Sequence, residues 1–175
     1  MKSRSLILLL ILIIFSNALI FGQDSLLVDR LQKHAISFTL NGNDLAKTGL
    51  DFFQKEFKEN QFFILGEYHG SHQISKITAA LLPLFSSSGG THFALEVGPE
   101  SAKMLSDFSF QPNSTIQNLE RFNKKYHYKE EEDIYTAIPF FSYVEDAEFL
   151  AKAAENKLTL LGIDQEFIYG YVALI

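Results

Sequence analysis

The chain has 175 residues, a formal net charge of −6, five His, and neither Cys nor Trp. Without cysteine there is no disulfide framework, no thiolate metal site and no cysteine nucleophile, and the acidic balance offers no basic footprint for nucleic acid. With 47% hydrophobic and 21% charged residues the chain can bury a core, unlike a disordered polymer, and its length suits one domain or part of a larger one.

Lys2 and Arg4 precede an unbroken apolar run from Leu6 to Phe15. Ser16, Asn17 and Ala18 interrupt it, Leu19 to Phe21 complete it, and Gly22-Gln23 follows. A basic start, an apolar middle and a small residue at the end form the pattern of a secretory signal peptide. Residues 1–22 are therefore expected to be a cleaved leader, with an uncleaved membrane anchor as the alternative. No Cys follows, so a lipid anchor is excluded. Cleavage removes two basic residues and no acid, which leaves thirteen basic against twenty-one acidic residues and a net charge of −8. The mature protein is expected to be exported and acidic, with no stable membrane span.

Asp24 can cap a helix over residues 26–37, in which Leu26, Leu27, Leu31 and Ile36 form an apolar stripe. Asn41-Gly42-Asn43-Asp44 is a turn cluster. A second helix is expected over residues 50–58, with Phe52, Phe53 and Phe57 in the core. The run Gln61 to Gly66 fits a strand buried on both faces, as in a parallel sheet. His69-Gly70-Ser71 leads into a helix over residues 72–85, and Ser86 to Gly90 forms a loop. A second strand spans residues 91–97, and Pro99 opens a helix that continues to about Phe108. Residues 115–125 suit another helix, and the acidic run Glu130 to Asp133 reads as a solvated face. Pro139 breaks the chain. Residues 144–156 form a helix with Val144, Ala147, Leu150, Ala151 and Ala154 on one face, and Leu158 to Ile163 is a third buried strand. The alternation of strand and helix predicts an α/β fold, a parallel-sheet core with flanking helices.

Each expected strand ends in an acid: Glu67, Glu96 and Asp164. Ligand crevices of open α/β sheets lie outside the carboxyl ends of the strands, so parallel neighbours would bring these acids together with His69. An imidazole oriented by carboxylates can take a proton from water near neutral pH. The same groups could instead hold a divalent metal, because imidazole and carboxylate suit Zn, Fe and Mn. His72 is expected in the first turn of its helix, facing the cleft, and His92 at the far end of its strand. His34 and His127 belong to no constellation. Ser71, Ser101 and Ser142 lack a Gly-x-Ser-x-Gly elbow, which leaves little support for a serine hydrolase.

The segments Ile64-Leu65-Gly66-Glu67-Tyr68-His69-Gly70, Phe93-Ala94-Leu95-Glu96-Val97 and Leu160-Leu161-Gly162-Ile163-Asp164 resemble the core of the erythromycin esterase-like proteins. That family sits in a wider superfamily with the Tiki and ChaN-like haem-uptake proteins. The segment from Ile138-Pro139-Phe140-Phe141 to Leu150 is similar to the one that precedes the family's third strand. The resemblance spans roughly Gln61 to Phe167. It implies metal-independent ester hydrolysis of a small-molecule substrate. His69 would be the general base, Glu67 and Glu96 would orient water or the imidazole, and Asp164, Tyr68 and His72 would lie on the substrate side. No cofactor is implied on this branch, whereas the ChaN-like branch implies haem or iron. One residue, Tyr68, separates Glu67 from His69, where erythromycin esterases have two, and this spacing is closer to the ChaN-like branch. The family also uses a His in its C-terminal half that this chain does not contain. Together with the apolar stretch Phe167 to Ile175, this leads to the expectation that residues 23–175 are the N-terminal part of a longer α/β domain, with an inactive fragment as one outcome.

Overall fold

The computed structural model describes residues 26–130 and 133–167. The expected leader, and the apolar stretch beyond Phe167, lie outside the described residues. The chain divides into two units, one up to Ser37 and one from Phe38 onward. In the first, residues 26–33 are helical, and Leu26, Leu27, Val28 and Leu31 are exposed.

The second unit opens with a short antiparallel hairpin, β1 (Leu40–Asn41) and β2 (Asp44–Leu45). The expected turn falls here, and Gly42 takes the positive φ of +65° that closes it. Helix α1 (Lys47–Glu59) follows. Its Phe53 and Phe57 are one helical turn apart and buried together. Phe63 packs edge-on against both, and Phe85 packs edge-on against Phe57, the geometry that ring quadrupoles favour. Phe85 belongs to α2 (His72–Ser87), so this cluster ties α1 to α2.

The larger core lies under a parallel strand pair. Strand β3 (His92–Leu95) pairs with β6 (Thr159–Gly162), with Phe93 opposite Leu160 and Leu95 opposite Gly162. Between them in sequence come α3 (Pro99–Ser109), a 3-10 turn at Pro112–Ser114, α4 (Thr115–Lys125), β4 (His127–Glu130), β5 (Asp133–Thr136) and α5 (Val144–Glu155). Leu105 of α3, Ile138 and Leu150 of α5 are fully buried, and Leu95, Val97, Leu119, Phe122 and Phe141 close around them. A small parallel pair with flanking helices is compatible with an α/β fold; the sheets are small, each of two strands.

Three sequence expectations are corrected. First, β3 and β6 are not buried on both faces. Phe93, Leu95 and Leu160 pack into the core, while Ala94, Leu161 and Ile163 alternate outward and are exposed. Helices cover one face of the pair, so the period of two reappears. Second, Gln61 to Gly66 joins no ladder. Phe63 packs into the aromatic cluster, but Ile64 is 90% exposed. An apolar run becomes a central strand only where neighbours supply hydrogen bonds at its edges, and among the described residues none pairs with it. Third, the buried stripe of α5 is rotated. Val144 is exposed, and Asp146, Ala147, Phe149, Leu150 and Ala153 face inward. Asp146 sits inward because its carboxylate accepts from the Tyr143 N–H at 2.8 Å and the Ser75 hydroxyl at 2.7 Å.

The β4–β5 hairpin was not anticipated. It pairs Tyr128 with Tyr135, whose rings stack at 5.1 Å, so part of the acidic run read as a solvated face is strand. Leu150→Ala is expected to lower unfolding free energy by about 2–5 kcal/mol, the range for emptying a fully buried leucine site. Urea denaturation followed by circular dichroism measures it.

Candidate functional site

Residues at the carboxyl end of the parallel pair build the site. Glu96 follows β3 directly and is turned outward, whereas Val97 and Gly98 are buried. Here the chain passes very close to β6. Ile163 N–H donates to Leu95 O and Asp164 N–H to Val97 O, both at 3.1 Å. A Cβ on Gly162 would collide with the Gly98 carbonyl, so only glycine permits this approach.

Helix α3 starts immediately after, with Gly98 at its cap position and no capping side chain of its own. Glu166 supplies the cap from across the sheet. Its carboxylate accepts from Glu100 N–H at 2.6 Å, Ser101 N–H at 3.1 Å and the Ser101 hydroxyl at 2.7 Å. An anion at the positive end of a helix satisfies otherwise orphaned N–H groups. The clamp fixes the Glu96–Pro99 turn against the segment that follows β6.

The second part of the site is the Glu67-Tyr68-His69-Gly70 turn. Ser71 N–H donates to Tyr68 O at 3.1 Å, and Gly70 adopts φ +76°. This turn delivers His69 to Glu96. His69 Nδ1 lies 3.5 Å from Glu67 Oε1, and Nε2 lies 3.8 Å from Glu96 Oε2. Both are ion-pair distances, longer than a direct hydrogen bond. One ligand-capable atom from each of the three residues falls within 4.8 Å of the others. The Phe140 ring stacks on the imidazole, with centroids 3.9 Å apart and planes 10° from parallel.

The structure thus brings together Glu67, His69 and Glu96. Asp164 lies at the same sheet end, but its carboxylate accepts from Gln165 N–H at 2.7 Å and it is outside the trio. Tyr68 is 83% exposed. His72 belongs to a separate pair. Its Nδ1 donates to Glu145 Oε2 at 3.0 Å, its ring lies 4.3 Å from that of Tyr143, and Lys76 approaches Glu145 at 3.6 Å. His92 sits at the start of β3, where its Nδ1 meets the Thr91 hydroxyl at 2.8 Å.

Two carboxyls at the start of α5 are shifted in opposite senses. The Glu145 carboxyl is held below its usual range by a hydrogen bond from its own backbone N–H, then by His72. Burial pushes Asp146 up, against hydrogen bonds from Ser75, Tyr143 and Ser142.

Sequence reasoning missed Phe140, Glu145 and Glu166. The bare Gly98-Pro99 helix start was the one signal that a cap had to come from elsewhere. Among the described residues no helix is long and apolar enough to cross a membrane. Comparison with protein-family models, curated proteins and solved structures finds no match to this chain.

Because the folded protein holds the Asp146 proton more tightly than the unfolded chain does, Asp146 favours folding at low pH. That contribution is lost as pH rises through the raised value. Asp146→Asn does not titrate, so its stability relative to wild type is expected to increase as pH rises through that window. Thermal unfolding of both proteins across the carboxylate range checks the sign.

Proposed function

We propose that this protein is an exported hydrolase that uses His69 to activate water against an ester of a small-molecule substrate. The observation that carries the reading is one imidazole with a carboxylate facing each ring nitrogen. Glu67 favours the tautomer with the proton on Nδ1, which leaves Nε2 as the base. Water held between Nε2 and Glu96 gives a proton to Nε2 as its oxygen attacks the acyl carbon. The leaving alkoxide recovers that proton from the imidazolium as the C–O bond breaks, so charge and protons balance. Tyr68 and Asp164 border the entry side, and residues 1–22 act as the export leader.

The resemblance to erythromycin esterase-like proteins supports the same reading. On that basis β3 and β6 are the core of a larger parallel sheet. The outward Leu161 and Ile163 of the β6 end, 42% and 70% exposed, favour this extension.

The test is turnover of a panel of chromogenic esters by the purified protein and by His69→Ala. The expected outcome is a loss of about 10²–10⁴-fold in kcat/KM, the usual contribution of a positioned general base. Equal turnover by both proteins overturns the role of His69.

A second reading is favoured by the 4.8 Å grouping of donor atoms: Glu67, His69 and Glu96 hold a divalent cation. A cation binds only one nitrogen of an imidazole, because the two lone pairs diverge in the ring plane, whereas the two carboxylates here face different nitrogens. The side chains must therefore turn and contract to coordination distances of about 2.0–2.2 Å. Calorimetric titration with Mn²⁺ and Zn²⁺ separates the readings. One-to-one binding lost in His69→Ala and in Glu96→Gln supports the cation, and heats identical to those of the variants exclude it.

A further inference from the structure

Phe140 occupies a backbone conformation that its chemistry disfavours. Its φ is +67°, the left-handed region where a bulky side chain crowds its own carbonyl. Among the described residues, the other non-glycine with positive φ, Lys157 at +56°, has a local explanation. It follows α5, where Leu158 N–H donates to Ala153 O and Lys157 N–H to Ala154 O, the arrangement in which a left-handed residue ends a helix. Phe140 ends no helix; it follows Pro139 in a turn, at the position where a positive φ is ordinarily given to Gly or Asn rather than to a bulky aromatic residue. Burial does not account for it either, because its side chain is 44% exposed while its neighbour Phe141 is buried.

What surrounds Phe140 is a strap pinned on both sides. Ile138 is fully buried, and its carbonyl accepts from the Thr136 hydroxyl at 2.7 Å. Phe141 is buried, and its carbonyl accepts from the Asn123 side-chain amide at 2.7 Å. Between these anchors the chain reverses the usual sign of φ at one residue. The result is to lay the Phe140 ring flat on His69. Three residues on, Tyr143 of the same strap packs against His72, and its hydroxyl lies toward Gly70. The strap therefore rests on His69 and on the residues that follow it in the chain. Strain held in place by surrounding anchors, at a residue touching a reactive group, points to a role at that group.

We infer that Phe140 is a positioning residue for His69: the pinned strap uses its ring to fix the imidazole plane, so that Nδ1 faces Glu67 and Nε2 faces Glu96. The role rests on the reading of His69 as the reacting group, but the contact can be tested without any turnover. A free imidazole above Gly70 would rotate about its side-chain bonds and sample either nitrogen toward either carboxylate. A parallel ring against it holds the imidazole plane and disfavours rotations out of that plane, while Glu67 and Glu96 select between the two flips within it.

The test is two-dimensional NMR of ¹⁵N-labelled imidazoles in the wild-type protein, Phe140→Ala, Phe140→Gly and Phe140→Tyr. The expected result is a change of about 2- to 10-fold in the tautomer ratio of His69 in the alanine and glycine variants, the size an aromatic contact supports. Phe140→Tyr restores the wild-type ratio, and His92 and His127 do not move. Phe140→Gly unfolds at a higher temperature than Phe140→Ala, because glycine tolerates the positive φ. A merely structural Phe140 would leave the His69 ratio unchanged, and that outcome in either folded variant overturns the inference, as does failure of Phe140→Tyr to restore it. If Phe140→Ala does not fold, Phe140→Gly carries the same comparison. Unchanged ester turnover in His69→Ala removes the hydrolase reading and leaves the NMR result to judge Phe140 on its own.

Discussion

The carboxylate of Glu166, seated on the N-terminus of α3, is the contact on which the arrangement at the sheet end depends. Gly98 cannot cap that helix itself, because a Cβ there would overlap Glu166, and a Cβ on Gly162 would strike Gly98 from the other side. Two bare glycines let the backbone of the post-β3 turn sit against the end of β6, and the carboxylate fills the remaining space. Its bonds to Glu100 N–H and Ser101 satisfy donors that have no partner within the helix. The orientation of Glu96 follows from this lock, since Glu96 lies between the last pair of β3 and the clamped turn.

The trio of Glu67, His69 and Glu96 is not held together by its own charges. All three side chains are well exposed, and exposed ion pairs contribute about 0–1 kcal/mol. Their meeting is imposed by backbone: the end of β3 on one side, the Gly70 turn on the other, and the Phe140 strap above. This is how such a cluster can persist near solvent without burying a charge. The neighbouring His72–Glu145 pair differs in kind. It is shorter at 3.0 Å and links α2 to the first turn of α5, above the buried Ser75–Asp146 hydrogen bond. Two histidines three residues apart thus serve different partners, one at the sheet end and one between helices.

Much of the local structure was legible from residue order. Pro99 at a helix start, the Asn-Gly turn, and the helices over residues 115–125 and 144–155 follow from short-range chemistry that any context would respect. The His69 turn and the acid after β3 were legible for the same reason, because a glutamate directly after a parallel strand lands at its carboxyl end. The β4–β5 hairpin was hidden because its charged residues mask the alternation that marks a strand. The run Gln61 to Gly66 misled in the opposite way. Its composition is that of a central strand, but strand identity is conferred by a partner.

The amino-acid sequence by itself determined which residues could carry chemistry and roughly where each element begins, since capping, turn formation and apolar periodicity act within a few residues. Only the tertiary structure decided which acids meet His69, that Asp164 and His72 stay out of the trio, that Glu166 caps α3 and that Phe140 stacks on His69. The physical reason is range. Glu166 caps a helix that starts 67 residues before it in the chain, with Ser101 65 residues away, and Phe140 reaches His69 through a backbone angle that side-chain chemistry disfavours. The bare Gly98-Pro99 start marks the need for a cap, but the local pattern does not name Glu166 or Phe140 as partners, because each contact is enforced by packing between segments remote in the chain.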